Sequence, residues 1–236
     1  KAATLSALAG ATRRLEWEYE VPFLAHAALE PLCATAVVRA DEAEVWAPTQ
    51  QPDRTRDMMA QVTGLPRERC KLHVTFLGGG FGRKWEVDFV RQAVQIAKGV
   101  AASRPGTPVK LTWTREQDFR HDRFRPAHLV RTRAGIDAEG KLVAMHSRTT
   151  GISMWKYHGR PSVPGMADPF AAGWLINDNY RFPNKYIDYV ETPEPVPVGT
   201  WRSVSQSMNC FFSESAIDDV AFASKRDPLE FRLEMC

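Results

Sequence analysis

Apolar and polar positions change their period several times along the chain, and each change marks an element. Leu32 to Arg39 and Glu44 to Ala47 are apolar, partly β-branched runs on either side of a polar turn at Asp41-Glu42, which predicts two short strands. Asp53 starts a short helix that runs to about Thr63 and is stopped by Gly64-Leu65-Pro66. Lys71 to Leu77 reads as a further strand. Val87, Val90, Ala93, Val94 and Ala97 then recur at helical spacing, so 85–102 is an amphipathic helix, ended by Arg104-Pro105-Gly106. Val109 to Thr114 is the next strand. Strand, helix, strand, helix, strand in succession predicts crossover units.

The second half has a different rhythm. Leu129 to Ile136 and Lys141 to Thr150 alternate in steps of two around Asp137-Ala138-Glu139-Gly140, an antiparallel hairpin. Residues 151–185 show no clear period and read as an irregular packed loop region. Tyr186 to Glu191 is a short strand, and Thr192 to Gly199, with three prolines, is a rigid connector. Asn209 to Ser224 is a helix with Phe212, Ala216, Ile217 and Val220 inward, and Asp227-Pro228 is the cap and first-turn proline of a last helix. Residues 1–20, polar and helix-tolerant, read as a lead-in or linker. The predicted class is mixed α/β (α+β): crossover β-α-β units, then an antiparallel hairpin and C-terminal helices, in one domain over residues 21–236.

Composition narrows the function classes. A chain of 236 residues with 44% apolar and 25% charged residues can bury a substantial core. A net charge of +3, with Lys and Arg scattered, argues against a nucleic-acid partner. No apolar run has the length of a membrane span. Cys33, Cys70, Cys210 and Cys236 are far apart with no C-x-x-C, so neither a zinc knuckle nor an iron–sulfur cluster is encoded, and the compartment, periplasmic or cytoplasmic, stays open. The start at Lys1 and the stop at Cys236, inside a helical pattern, suggest a piece excised from a longer polypeptide.

The candidate chemistry centres on Val74-Thr75-Phe76-Leu77-Gly78-Gly79-Gly80-Phe81-Gly82-Arg83-Lys84. A glycine run between a strand and a helix lets bare backbone approach a ligand, and the helix start beyond it favours an anion. The dinucleotide pattern G-x-G-x-x-G fails at Arg83, and the phosphate-loop pattern G-x-x-x-x-G-K-[ST] fails at Lys84-Trp85. Glycines alone are as consistent with a ligand-free tight turn. Phe81 favours a ligand, because a phosphate cradle has little use for a bulky apolar residue and a flat organic group does. His26 and Glu30, at i and i+4, have metal-ligand spacing, but a polar pair within a partly buried loop is the plainer reading.

The string Gly-Gly-Gly-Phe-Gly-Arg-Lys resembles the cofactor loop of the molybdenum hydroxylases, the xanthine dehydrogenase and aldehyde oxidase family. It looks most like the large (beta) subunit of the isoquinoline 1-oxidoreductase and membrane-linked aldehyde dehydrogenase type. The resemblance extends from about Pro22 to Leu233. His26-Ala27-Ala28-Leu29-Glu30-Pro31 is similar to a family segment with Met at the Leu29 position. Trp46-Ala47-Pro48-Thr49-Gln50 and Thr200-Trp201-Arg202-Ser203-Val204 resemble two further family segments.

The resemblance implies residues 21–236 are a molybdopterin-binding domain that hydroxylates an aldehyde or N-heterocyclic carbon with water as the oxygen source. Gln50 would place its amide near an oxygen of the metal and Arg202 would face the substrate. Gly79, Gly80, Phe81 and Gly82 would bind the cofactor, Phe81 through its backbone N–H, with no protein side chain ligating the metal directly. Taken singly, a turn cap for Gln50, core filler for Phe81 and a surface ion pair for Arg202 are the plainer roles. The implied cofactor is molybdenum-molybdopterin in its cytosine dinucleotide form, held by the parent protein and absent from the excised piece. The implied partners are a small 2Fe–2S subunit and a cytochrome c subunit, with membrane association only through a partner. Two departures stand out. The family's distal catalytic Glu has no counterpart, which makes the piece inactive alone, and Arg83 and Trp85 replace the Gly and Glu of xanthine dehydrogenases, which disfavours a purine substrate. The alternative is a non-catalytic relative that keeps the fold as a scaffold for a partner subunit.

Overall fold

In the computed structural model all residues are described except 162, 164 and 194. In chain order the elements are α1 (Ala2–Gly10), β1 (Arg13–Val21), β2 (Cys33–Val38), β3 (Ala43–Ala47), α2 (Pro52–Thr63), β4 (Cys70–Val74), α3 (Asp88–Ala101), β5 (Val109–Thr112), α4 (Arg115–Arg120), β6 (His128–Ile136), β7 (Leu142–Gly151), α5 (Met154–Tyr157), α6 (Pro169–Ile176), β8 (Lys185–Glu191), α7 (Gln206–Ala223) and α8 (Pro228–Leu233). They form two units. One comprises Lys1–Leu24, Pro126–Val198 and Ser203–Cys236, the other Ala25–Arg125 and Gly199–Arg202.

The 25–125 unit is a four-stranded sheet in the order β4-β3-β2-β5. β3 and β4 pair in parallel, while β2 is antiparallel to both β3 and β5, so β3, β4 and β5 run the same way. The path β3-α2-β4 is therefore a crossover between neighbours, and β4-α3-β5 crosses from one edge to the other, as the sequence predicted. Helix α3 buries Val90, Ala93, Val94 and Ala97, which recur at helical spacing, together with Phe89, against Val45, Leu32 and Met59. Burying each of the larger ones is worth about 1.5–3 kcal/mol, so a charge at Val90 would undo this layer. Helix α2 starts at Pro52 and stops at Gly64, whose left-handed backbone (φ 82°) lets its N–H reach the Ala60 carbonyl.

The other unit is a sheet in the order β1-β6-β7-β8, with the predicted β6–β7 hairpin antiparallel and β8 parallel to β7. Helices α7 and α8 bury Ala216, Ile217, Val220, Ala221 and Phe231 with Ala134, Ile136 and Met145. Three expectations need correction. Residues 1–20 are not a linker: α1 and β1 are built into this unit, and β1 pairs with β6 from Arg13 to Val21. Its Leu15, Trp17 and Tyr19 pack on the α7 layer, and Glu16 and Glu18 accept from Arg133 and Arg131 across the strands at 2.7 and 2.6 Å. Cross-strand ion pairs let a strand this polar hold its place. The supposed irregular stretch 151–185 contains α5 and α6, and the strand before the glycine run ends at Val74 rather than Leu77. Among the described residues no helix is long and apolar enough to cross a membrane, and all four cysteines are free thiols.

Candidate functional site

The parallel pairing of β3 with β4 puts Ala47 opposite Val74, so the segments that follow these strands leave the same edge of the sheet. After β3 the chain turns through Pro48 to Gln50, and after β4 it enters the glycine run. The two are strapped together. Gln50 N–H donates to the Lys84 carbonyl at 2.9 Å, and the Gly82 N–H donates to Gln50 Oε1 at 3.1 Å. A backbone N–H needs an acceptor, so this bond turns the amide oxygen inward and leaves the Gln50 amide nitrogen as a donor. Gln50 and Phe81 thus share one edge of the domain.

The glycines answer to protein neighbours. A Cβ at Gly80 would lie 2.6 Å from Gln50 Oε1, and one at Gly82 would lie 1.7 Å from the Thr200 carbonyl oxygen. Gly82 also has φ 106°, and Phe81, held at φ 54°, is one of few non-glycine residues in the left-handed region. Among the described residues the N–H groups of Gly79, Gly80 and Phe81 have no protein acceptor. The loop is therefore a rigid, strained turn that shows unpaired donors and a half-exposed phenyl ring.

Charged residues hold the loop from behind. Glu30 Oε2 accepts the Gly78 N–H at 3.0 Å and pairs with the fully buried Lys84 ammonium, while Glu30 N–H donates to the Gly78 carbonyl at 2.9 Å. Burial works to raise the Glu30 carboxyl, but Lys84 and the Gly78 N–H outweigh it and hold it below the usual carboxylate range. Arg83, also buried, donates both terminal nitrogens to Asp88 at 2.9 and 2.8 Å and places Nε 3.1 Å from Asp122. Burial raises Asp118, with Asp122 adding to it. Asp122 itself is lowered: burial works upward, and hydrogen bonds from the His26 ring and backbone and from the Arg123 N–H prevail.

His26 and Glu30 do not act as a pair. His26 places Nδ1 3.0 Å from Asp122 and donates from Nε2 to the Thr200 carbonyl at 3.0 Å, whereas Glu30 serves the loop. Through Thr200 the segment 199–202 is seated on Gly82, and Arg202, exposed, follows two residues later. Among the described residues the Arg202 side chain has neither an ion pair nor a hydrogen bond, which sets it apart from the paired arginines behind the loop. All six residues singled out from the sequence (Gln50, Gly79, Gly80, Phe81, Gly82 and Arg202) thus fall within one unit. Asp122 escaped the sequence reading because its partner His26 lies 96 positions away along the chain. Arg83 turns inward to structural carboxylates, so its place in the loop is that of an anchor. A cavity of about 760 Å³ against Arg13, Trp17 and Phe222 belongs to the other unit and contains none of these residues.

Residues 3–235 match the family described as the molybdopterin cofactor-binding domain. The chain is 29% identical over 236 aligned residues to a nicotinate dehydrogenase polypeptide of Pseudomonas putida, an alignment covering 96% of this chain and 19% of that protein. It is 27% identical to the beta subunit of isoquinoline 1-oxidoreductase from Brevundimonas diminuta, over 92% of this chain and 28% of that protein. Quinoline 2-oxidoreductase from Pseudomonas putida 86 superposes with a TM-score of 0.76 at 19% identity, over 96% of this chain and 28% of that one. The chain thus spans 15% to 29% of the length of the proteins it matches.

Proposed function

The chain belongs to the molybdopterin cofactor-binding domain family, and from that premise we propose that Gln50, the glycine loop and Arg202 form the protein's side of a molybdenum hydroxylase site. The residues present fit such a group. The N–H donors of Gly79, Gly80 and Phe81 and the amide nitrogen of Gln50, all without a partner among the described residues, suit a ligand rich in oxygen acceptors. Phe81, 41% exposed, adds an apolar face for a flat ring. Gln50 and Phe81 would hold the metal end of the cofactor, and Gly79, Gly80 and Gly82 the pterin side, without a direct protein ligand to the metal. When bound, the molybdenum-molybdopterin group, proposed here in its cytosine dinucleotide form, supplies the two-electron oxidation that adds water-derived oxygen to an electron-poor carbon.

The chain's own residues supply fixed dipoles and orientation. A neutral amide at Gln50 donates a hydrogen bond without changing the charge of what it touches. Phe81 donates from a backbone whose left-handed turn is already made, so no reorganisation is needed when charge develops. Arg202, with no internal partner among the described residues, is available to hold a substrate oxygen or ring nitrogen as negative charge builds there. The substrate class proposed is an aldehyde or an N-heterocycle, with electrons passing to a small 2Fe–2S subunit and on to a cytochrome c subunit. The names of relatives that act on nicotinate and isoquinoline support the heterocycle. Arg83 and Trp85 in the loop leave no carboxylate there for a purine.

The observation that carries this reading is the shared edge: hydrogen bonds from Gln50 to the Lys84 carbonyl and from Gly82 to the Gln50 amide oxygen tie the two cofactor-facing segments together. Arg202 provides the test, in the full-length, cofactor-loaded protein. Arg202→Ala should lower kcat/KM by roughly 10²-fold, the scale of removing one transition-state donor, with the loss in kcat. Arg202→Lys should restore part of it, keeping the charge without the planar fork. Molybdenum content should match wild type in both. Full activity in Arg202→Ala, or a loss that tracks loss of molybdenum, would refute the assignment.

A further inference from the structure

Four stretches of one unit meet around a single buried carboxylate that no substrate-facing role explains. Asp122 is 2% exposed. It accepts the His26 N–H at 2.6 Å and the Arg123 N–H at 2.7 Å, lies 3.0 Å from His26 Nδ1, and stands 3.1 Å from Arg83 Nε. Arg83 follows directly on Gly82, so the carboxylate grips the end of the glycine loop. The opposite ring nitrogen of His26 reaches the Thr200 carbonyl at 3.0 Å, 174 positions along the chain. Neither a carbonyl nor an ionised carboxylate can donate, so both ring nitrogens act as donors, Nε2 to Thr200 and Nδ1 to Asp122. The Thr200 oxygen is packed against Gly82 so closely that a Cβ there would lie 1.7 Å away.

We propose that Asp122 and His26 are positioning residues for the site: the carboxylate fixes the imidazole, and the imidazole seats the Thr200 carbonyl on Gly82. This rests on the reading above that the glycine loop and Arg202 serve one site. The chain Asp122–His26–Thr200 then joins the strained turn that carries the Phe81 N–H to the backbone that carries Arg202. A side chain whose two ring nitrogens and backbone N–H are all engaged in a nearly dry environment has one orientation, and its hydrogen bonds are strong because water does not compete. Such rigidity matters where donors must meet charge that appears only in the transition state, since a displacement of about 1 Å can cost about 10²-fold in rate.

The test uses Asp122→Asn and His26→Gln. In the 236-residue chain, peptide-level hydrogen exchange should show residues 78–84 and 199–202 exchanging at least about tenfold faster in both variants, with α3 (88–101) unchanged. In the full-length, cofactor-loaded protein kcat should fall about 10- to 100-fold with KM and molybdenum content held. The double variant His26→Gln/Arg202→Ala should lose no more than about 3-fold beyond Arg202→Ala alone, because contributions that act through one element are not additive. Unchanged exchange in both segments would overturn the proposal, as would faster exchange throughout α3 or fully additive losses. If Asp122→Asn does not fold, His26→Gln decides alone, and failure of both to fold counts against positioning. Full activity in Arg202→Ala would sink the role of Arg202 while leaving the exchange result to judge the Asp122–His26 pair.

Discussion

Gly82→Ala is the sharpest single perturbation of the site. An added Cβ would lie 1.7 Å from the Thr200 oxygen, 2.7 Å from its carbonyl carbon and 3.3 Å from Trp201 Cα. Half of the ordinary contact separation to the oxygen is missing, and the obstacle is backbone, held in place by the bond from His26 at 3.0 Å. The left-handed φ of 106° adds strain of about 1–3 kcal/mol for a residue with a side chain. Overpacking adds about 1–3 kcal/mol more, giving about 2–6 kcal/mol in all. For a chain of this size each kcal/mol moves Tm by about 2–4 °C, so the midpoint should drop by at least about 4 °C. Two controls separate the causes. Gly64→Ala, with φ 82° and nothing within 4 Å of the new Cβ, carries the strain without the clash. Gly99→Ala, inside α3 and equally unobstructed, should gain about 0.5–1 kcal/mol. Urea and thermal denaturation should therefore rank Gly99→Ala above wild type, then Gly64→Ala, then Gly82→Ala. A Gly82→Ala protein no less stable than Gly64→Ala would show that the Thr200 carbonyl is not seated on this glycine.

Glu30→Gln keeps an acceptor for the Gly78 N–H but strands the buried Lys84 ammonium. It should cost about 2–3 kcal/mol by urea denaturation, below the roughly 3–5 of a fully buried pair because Glu30 is 31% exposed; a neutral substitution would mean that Lys84 reaches water when its partner is gone. Asp122 and Glu30, both held below the ordinary carboxylate range, contribute stability that is complete above that range and lost as pH falls through their depressed values. Asp118 has the opposite sign: raised by burial, it costs stability above its elevated value and relieves that cost on acidification. The urea midpoint of wild type should thus fall between neutral pH and about pH 3, and Asp122→Asn should flatten that fall; an identical pH slope in the variant would rule out Asp122 as a source. The 236-residue chain purified alone should contain no molybdenum and reduce no dye with aldehydes or N-heterocycles, and stoichiometric metal in it would contradict that.

Much of this architecture was legible because local signals and tertiary demands coincide. The α3 positions Val90, Ala93, Val94 and Ala97 repeat at the spacing that one buried face requires, and all are buried. What was misread had signals of its own. Asp168-Pro169 repeats the cap-and-proline signature of Asp227-Pro228, and Asp168 accepts from the Phe170 and Ala171 N–H groups as Asp227 does from Leu229 and Glu230. Thr114 and Gln117 form a capping box at the start of α4. The alternation of β1 was hidden by its glutamates, whose partners are arginines of β6. At the site, local sequence showed the glycine run and the Gln50 tip. The burial of Arg83 and Lys84 could not be read locally, since two adjacent cations look like a wet surface until Glu30, Asp88 and Asp122 are brought to them.

The two units are interleaved along the chain, and that sets a timetable for synthesis. Residues 25–125 emerge early with their sheet and both crossover helices, but the four residues 199–202 that complete this unit follow only after 126–198 have been made. At translation rates of about 5–20 residues per second this gap lasts roughly 4–15 s. Throughout it the His26 ring lacks the Thr200 carbonyl and Gly82 has nothing seated on it. The sheet of this unit can be old by the time its glycine loop is closed, which makes the site the last part of the unit to be built.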